Sequence, residues 1–155
     1  MKIPIAKTEF TEQDLISVRK VLESGWVVQG PIVKEFESIW CKFTGSPYSI
    51  AVSSCTTALH LALLAAGIKK GDEVILPSFT WVATVNAVEY VGAIPVFCDI
   101  DISTYNIDVS KINNLVTSNT KAIIPVHLFG LAADMKSILE ISNKYGLKVI
   151  EDSAC

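Results

Sequence analysis

After residue 48 the sequence alternates between short apolar segments and longer segments of helical length, and this alternation constrains the fold more than any other feature. The short segments have the length and residue types of β-strands, and most of the longer ones end at a glycine, as helices commonly do. The predicted strands are residues 49–53, 73–76, 95–98, 122–126 and 147–150. The predicted helices between them are residues 56–66, 80–91, 108–115 and 134–145. This order is typical of repeated strand–helix–strand units.

Repeated units of this kind predict an α/β fold with a mostly parallel sheet, because parallel neighbours need the crossover that a helix supplies. Half of the residues are hydrophobic and the mean hydropathy is +0.43. The continuous apolar run at residues 123–126 is typical of a strand that is covered on both faces. We therefore expect a three-layer α/β/α arrangement, with helices on each side of the sheet.

Two more helices are predicted before the alternation begins, at residues 11–24 and 33–43. Thr11, with Asp14 three positions later, has the pattern of a helix N-cap, and a loop is expected at residues 25–31. The sequence is thus expected to comprise N-terminal helices at residues 1–45 and an α/β core at residues 46–155.

Composition argues against several classes of function. The net charge is −3, and the basic residues are twelve scattered lysines and a single arginine, Arg19, which does not favour nucleic-acid binding. The four cysteines form no CxxC pair, which predicts free thiols and no metal site. The N-terminal residues lack the apolar core of a signal peptide and no apolar run approaches the length of a membrane span, so we expect a cytoplasmic protein with no membrane partner.

Ligands of open α/β sheets bind outside the carboxyl ends of the strands. The first such segment, residues 53–57, is a run of small and hydroxylated residues before a helix. Unpaired amides and the helix dipole at a helix N-terminus favour a phosphate, to which Thr56 and Thr57 could add donors. An ordinary Ser or Thr cap explains the same residues.

Two further segments could complete a ligand site at that edge. Phe79 and Trp81 follow the predicted strand at 73–76, where an aromatic ring could stack on a planar ligand or belong to the core. Glu151 and Asp152 follow the last predicted strand, where an acid could pair with a protonated ring nitrogen, bind a metal or cap a helix. Phosphate cup, ring stack and nitrogen partner are together the three parts of a pyridoxal-phosphate site.

With these motifs in this order, the sequence resembles the DegT/DnrJ/EryC1/StrS sugar aminotransferases, which are fold-type-I enzymes that use pyridoxal 5'-phosphate (PLP). The resemblance extends over essentially all 155 residues and implies the incomplete large domain of such an enzyme. It depends on the strings at residues 24–31, 53–61, 77–84, 99–101, 106–108, 125–130 and 151–154.

The resemblance implies a role for individual residues. Cys55, Thr56 and Thr57 match the turn that holds the cofactor phosphate, and Trp81 matches the aromatic residue that stacks on the pyridine ring. Asp152 matches the aspartate that pairs with the ring nitrogen, which makes it the residue expected to serve catalysis.

The sequence departs from the family pattern at three places. Cys55 stands where glycine is common, and Cys155 stands where Gln or His often lies near the cofactor's 3-hydroxyl, although a thiol is a weak donor. None of the twelve lysines matches the Schiff-base lysine, which is expected beyond residue 155. The remainder of the large domain and the small C-terminal domain are expected there too, so we expect the 155 residues alone to be inactive.

Three other residues could contact substrate. His127 follows a predicted strand and is either a hydrogen-bonded structural residue or a contact to substrate or cofactor. Trp26 and Gln29 lie in the loop at residues 25–31, which could reach substrate or a partner subunit. The resemblance implies a homodimer with shared active sites.

The implied function is transfer of an amino group from a donor such as glutamate to a keto nucleotide-sugar, in polysaccharide, glycan or deoxyamino-sugar biosynthesis. Three alternatives stay open. The first is a PLP-dependent sugar dehydratase of the same family. The second is a non-catalytic truncated or split-gene product, and the third is a plain nucleotide-binding module, although no GxGxxG follows a strand.

Overall fold

The computed structural model describes residues 7–155 and confirms the predicted α/β fold. The chain divides into two compact units, one ending at Ala51 and the other formed by Val52–Cys155. The second unit contains four strands, β1 to β4, at Glu73–Pro77, Ile94–Cys98, Thr120–Ile123 and Lys148–Val149. Its helices, α3 to α6, lie at Cys55–Ala65, Val82–Tyr90, Val109–Ile112 and Met135–Tyr145.

The four strands form one sheet in the order β2-β1-β3-β4, and every neighbouring pair is parallel. Helices α4, α5 and α6 supply the three connections between successive strands. All strands therefore end at the same edge of the sheet, which brings the segments that follow them together.

Two apolar cores cover the sheet, one on each face. Val74 and Leu76 of β1 pack with Leu63 of α3 and Val88 of α4, whereas Ile75 between them packs on the opposite face with residues of α5 and α6. This period of two is that of a strand buried on both sides. The helices on each face confirm the predicted three-layer arrangement, and each fully buried Leu or Ile contributes about 1.5–3 kcal/mol from loss of water contact.

The strand predicted at residues 49–53 is wrong, because no strand is present there. The Ala51 amide instead donates to Glu37 Oε1 at 2.9 Å, and Gln29 Nε2 donates to the Ala51 carbonyl at 3.2 Å. Side chains thus take the hydrogen bonds that a neighbouring strand would have supplied.

The first unit contains helices α1 and α2 at Glu12–Glu23 and Pro31–Thr44. The predicted cap of α1 is confirmed, since Thr11 and Asp14 bond reciprocally as a capping box. Helix α2 begins at a proline and ends at Gly45, whose φ of 73° suits a glycine. No helix within residues 7–155 is both long enough and apolar enough to cross a membrane.

Candidate active site at the carboxyl edge of the sheet

Asp152 lies where β3 and β4 end. Its amide donates to the Pro125 carbonyl at 2.9 Å, and its own carbonyl accepts from the His127 amide at 3.0 Å. These two bonds continue the parallel pairing beyond the regular strands, as the bridge between Val126 and Asp152 shows. The position of Asp152 is therefore fixed by the backbone on both sides.

The Asp152 side chain is buried, with 4% of the residue exposed, and both carboxylate oxygens accept hydrogen bonds. Thr84 Oγ1 donates to Oδ2 at 2.8 Å. The Ala154 amide donates to Oδ1 at 3.1 Å, and Cys55 Sγ donates to the same oxygen at 3.7 Å. Since a carboxylate can accept about four hydrogen bonds, one acceptor position remains for a ligand.

Cys55, the first residue of α3, brings the N-terminus of that helix to Asp152. Burial and the nearby Asp152 carboxylate raise the pKa of the Cys55 thiol, which keeps it protonated and able to donate. The proximity of Cys155 raises the pKa of Cys55 further, so the two exposed cysteines lie near one another at this edge.

The N-cap of α3 is Ser54, whose hydroxyl accepts from the Thr57 amide at 3.2 Å. The hydroxyl of Thr57 lies 3.0 Å from the same Ser54 oxygen, and Thr56 is partly buried beside it. The first amides of a helix have no partner within the helix. The N-terminus of α3 therefore offers amide and hydroxyl donors close to the buried carboxylate of Asp152. The Ser or Thr cap expected as an alternative for residues 53–57 is thus present at Ser54.

Trp81 is the N-cap residue of α4 and is 79% exposed, so the interpretation as a core residue is wrong. Phe79, two residues earlier, is 48% exposed and lies against the Tyr105 ring at a centroid distance of 5.8 Å. The edge of the sheet thus presents aromatic surface to solvent beside the end of β1.

His127 uses both ring nitrogens in hydrogen bonds within the protein. Nδ1 accepts from the Ala133 amide at 3.1 Å, so the proton of the neutral ring must lie on Nε2, which is 2.8 Å from Glu151 Oε2. This arrangement ties the segment after β3 to the segment after β4. It favours the structural interpretation of His127 over direct contact with substrate.

Trp26 and Gln29 line a cavity of about 580 Å³ in the first unit, together with Lys34, Glu37 and Ile50. The Trp26 indole nitrogen donates to the Gln29 carbonyl at 3.0 Å. A Cβ at Gly30 would lie 2.1 Å from that nitrogen, so only glycine leaves room for the ring. The indole is thus held as one wall of the cavity.

The donor set at the carboxyl edge fits PLP. On its pyridine ring, one carbon separates the nitrogen from the carbon that carries the phosphate arm. A phosphate site and a carboxylate for the nitrogen must therefore lie close together, as the start of α3 and Asp152 do through the Cys55 contact at 3.7 Å. Within residues 7–155, no group of three or more His, Cys, Asp or Glu side chains is placed to hold a metal.

Comparisons with known proteins agree with this geometry. The model of the DegT/DnrJ/EryC1/StrS aminotransferase family matches residues 8–155. NtdA of Bacillus subtilis, crystallised with its cofactor PMP, is 43% identical with a TM-score of 0.86, over 89% of this chain and 32% of its own. A protein of Streptococcus pneumoniae assigned as a sugar aminotransferase, in its PMP form, is 31% identical with a TM-score of 0.91. The match covers 99% of this chain and 43% of that protein.

A third similar structure is GDP-4-keto-6-deoxy-D-mannose-3-dehydratase of E. coli with bound hydrated PLP. It is 33% identical with a TM-score of 0.91, over 98% of this chain and 41% of its own. The chain spans less than half the length of each of these three proteins. Fold, motif order and the extent of the match lead to one conclusion: the chain belongs to the DegT/DnrJ/EryC1/StrS aminotransferase family of PLP-dependent enzymes.

Proposed function

We propose that the protein is a PLP-dependent aminotransferase that transfers an amino group from a donor such as glutamate to a keto nucleotide-sugar. The observation that carries this proposal is the buried Asp152 carboxylate, which lies beside the N-terminus of α3 at the carboxyl edge of the sheet. Its support is family membership and the similarity to a sugar aminotransferase and a sugar dehydratase.

Asp152 holds a proton on the pyridine nitrogen. When bound, PLP supplies an electron sink for the carbanion that forms at the amino-bearing carbon. A protonated nitrogen strengthens that sink, and a buried carboxylate is the group that favours protonation of a ring it faces. The three donors already on Asp152 hold its carboxylate in a fixed orientation for this contact.

The other residues bind and orient the cofactor. The Cys55 and Thr56 amides at the start of α3 and the hydroxyls of Thr56 and Thr57 would hold the phosphate. Trp81 would cover one face of the ring, for which its exposed indole at the start of α4 is suited. Cys155 would lie near the 3-hydroxyl, where a thiol would make a weaker contact than the Gln or His that the family often has there.

We propose that Trp26 and Gln29 bind substrate, because their cavity joins an aromatic wall to amide and charged groups that suit a polar sugar. Of the three candidate contacts, we assign His127 instead to the support of Glu151, since both of its ring nitrogens bond within the protein. We further propose that these 155 residues form part of a large domain, and that the whole protein is a cytoplasmic homodimer active in the biosynthesis of polysaccharide, glycan or deoxyamino sugars.

The proposal is tested with Asp152→Asn in the intact gene product. This change keeps the size of the side chain but removes the charge that stabilises the protonated nitrogen, so transamination should slow by at least about a hundredfold. Glu140→Gln removes an exposed carboxylate on α6 and is the matched control. The assay is conversion of a keto nucleotide-sugar with glutamate, followed by mass spectrometry. Equal rates for Asp152→Asn and Glu140→Gln would contradict the role of Asp152.

A dehydratase is the second candidate, and the E. coli structure at 33% identity favours it. The two reactions differ in their products. An aminotransferase replaces the keto oxygen with an amino group from the amino acid, whereas a dehydratase removes a hydroxyl from the sugar. Loss of the hydroxyl with the keto group retained would decide for the dehydratase.

A further inference from the structure

Thr84 is a fully buried polar residue in the middle of the site that the sequence analysis assigned no role. It lies on α4, its exposed fraction is 0%, and its hydroxyl is 2.8 Å from Asp152 Oδ2. The two residues are 68 positions apart in sequence. A threonine on a helix commonly bonds to its own backbone, but here the hydroxyl is directed at a carboxylate.

The direction of the hydrogen bonds follows from the chemistry of the groups. An ionised carboxylate only accepts, so Thr84 must donate to Asp152, and its single hydroxyl hydrogen is then used. The Thr80 hydroxyl lies 2.9 Å from the Thr84 hydroxyl, so Thr80 must be the donor in that pair. The chain of donors therefore runs from Thr80 to Thr84 to Asp152, and each bond polarises the next.

Helix α4 connects this series of hydrogen bonds to the residue proposed to stack on the cofactor ring. Trp81 is the N-cap of the helix, and the Thr84 amide donates to the Trp81 carbonyl at 3.1 Å. The first turn of α4 therefore places both the exposed indole and the partner of the buried carboxylate. Side chains on one turn of a helix keep a fixed mutual geometry, in contrast to side chains on separate loops.

We propose that Thr84 is a positioning residue, which orients Asp152 towards the cofactor nitrogen and keeps the shared proton on that nitrogen. This inference rests on the proposed function and extends it to a residue that does not itself contact the cofactor. Without the Thr84 hydroxyl, the carboxylate would lose a donor to its charged form and would compete more strongly for the proton. The ring nitrogen would then be less protonated and the cofactor less tightly held.

The test uses the intact gene product and PMP, whose binding does not depend on a covalent bond to the protein. Thr84→Val keeps the shape of the side chain and removes the hydroxyl. We expect the dissociation constant of PMP to rise about tenfold or more, since a hydrogen bond to a charged group is lost. In PMP labelled with ¹⁵N in the ring, the nitrogen resonance should shift towards that of the unprotonated ring. Thr84→Ser should restore both properties.

Thr120→Val is the matched control. Thr120 is also buried, and its hydroxyl also donates to a carboxylate, that of Glu73 at 3.2 Å, but at the opposite edge of the sheet. This variant should lose stability while its PMP affinity and ¹⁵N resonance stay those of the wild type. A purely structural role for Thr84 would make the two variants behave alike.

The outcomes separate the two proposals. Absence of PMP binding by the wild-type protein would overturn the proposed function itself. Wild-type binding together with an unchanged affinity and ¹⁵N resonance in Thr84→Val would overturn the role of Thr84 alone. If Thr84→Val does not fold, Thr80→Val removes only the first donor of the chain and should shift the resonance in the same direction by a smaller amount. An unshifted resonance in Thr80→Val would then overturn the inference.

Discussion

Replacing Asn106 with alanine is expected to lower the free energy of unfolding by about 1.5–4.5 kcal/mol. Asn106 is buried, with 4% exposed, and joins the loop after β2 to the segment after β3. Its Nδ2 donates to the Leu131 carbonyl at 3.0 Å, and its Oδ1 accepts from the Leu128 amide at 3.2 Å. One side chain thus holds two loops that border the candidate site.

The magnitude follows from the surroundings of the two backbone groups. Leu128 is buried, with 8% exposed, so its amide would be left without a partner at a cost of about 1–3 kcal/mol. Leu131 is 51% exposed, so water can reach its carbonyl and only the net value of a hydrogen bond is lost, about 0.5–1.5 kcal/mol. Their sum gives the expected range.

The measurement is urea unfolding of the intact protein, with hydrogen exchange of the segment at residues 127–131 as a local readout. Asn114→Ala, at an exposed asparagine, is the control and should change stability by less than about 0.5 kcal/mol. Asn106→Asp separates hydrogen bonding from volume. It has the same shape, but at neutral pH it sets a carboxylate oxygen against the Leu131 carbonyl.

If hydrogen bonding is the cause, both Asn106 variants should be destabilised at neutral pH. The Leu128 amide should exchange faster in Asn106→Ala, which alone removes its acceptor. If Asn106→Asp kept wild-type stability while Asn106→Ala lost it, the side chain would matter only for the space it fills. If neither variant differed from Asn114→Ala, the reasoning about the two loops would be refuted.

Two further predictions concern space and pH. Gly30→Ala should displace the Trp26 indole, because a Cβ would lie 2.1 Å from its nitrogen. We expect a changed tryptophan emission and at least about tenfold weaker sugar binding. Unchanged emission would contradict this prediction. Burial and the nearby Asp108 raise the pKa of Cys98 to about 11, whereas an unfolded thiol ionises near pH ~8.5. As the pH rises, the thiol of the unfolded state therefore loses its proton first. The stabilisation that the protonated Cys98 thiol contributes is complete below pH ~8.5 and is lost as the pH rises through the native pKa. Urea unfolding of wild type and Cys98→Ala should show a difference in stability that shrinks over that pH range, and a constant difference would refute the argument.

The helices could be predicted well because their ends carry local signals. The capping box of Thr11 and Asp14 marks the start of α1, and Gly146, in a left-handed conformation with φ of 68°, marks the end of α6. The strand expected at residues 49–53 failed for the opposite reason. Its apolar pattern is that of a strand, but the Ala51 backbone bonds to Gln29 and Glu37, which lie 22 and 14 residues away. No local pattern encodes those contacts.

The candidate site could be predicted only in part for the same physical reason. The segments that carry Trp81 and Asp152 were identifiable because each comes soon after a strand, and parallel strands end at one edge. The choice of Asp152 over Glu151 came from the family resemblance. Thr84 was not identifiable, because a threonine on an apolar helix has no distinctive neighbours in sequence, and its partner is 68 residues away. A cue was present in Thr80, four residues earlier, because both threonines fall within the helix predicted at residues 80–91, in which positions i and i+4 share a face.

The packing of α4 explains how loops at the sheet edge can hold a defined geometry. Ala87 and Val88, one turn after Thr84, are fully buried in the core that covers Val74 and Leu76 of β1. The same helix therefore has one end anchored in the core and the other end at the site, where it carries Trp81 and Thr84. Interiors are close-packed and resist displacement of a helix, so the direction of the Thr84 hydroxyl is set by apolar contacts that do not touch the ligand. The orientation of Asp152 then depends on the core as much as on the residues around the cofactor.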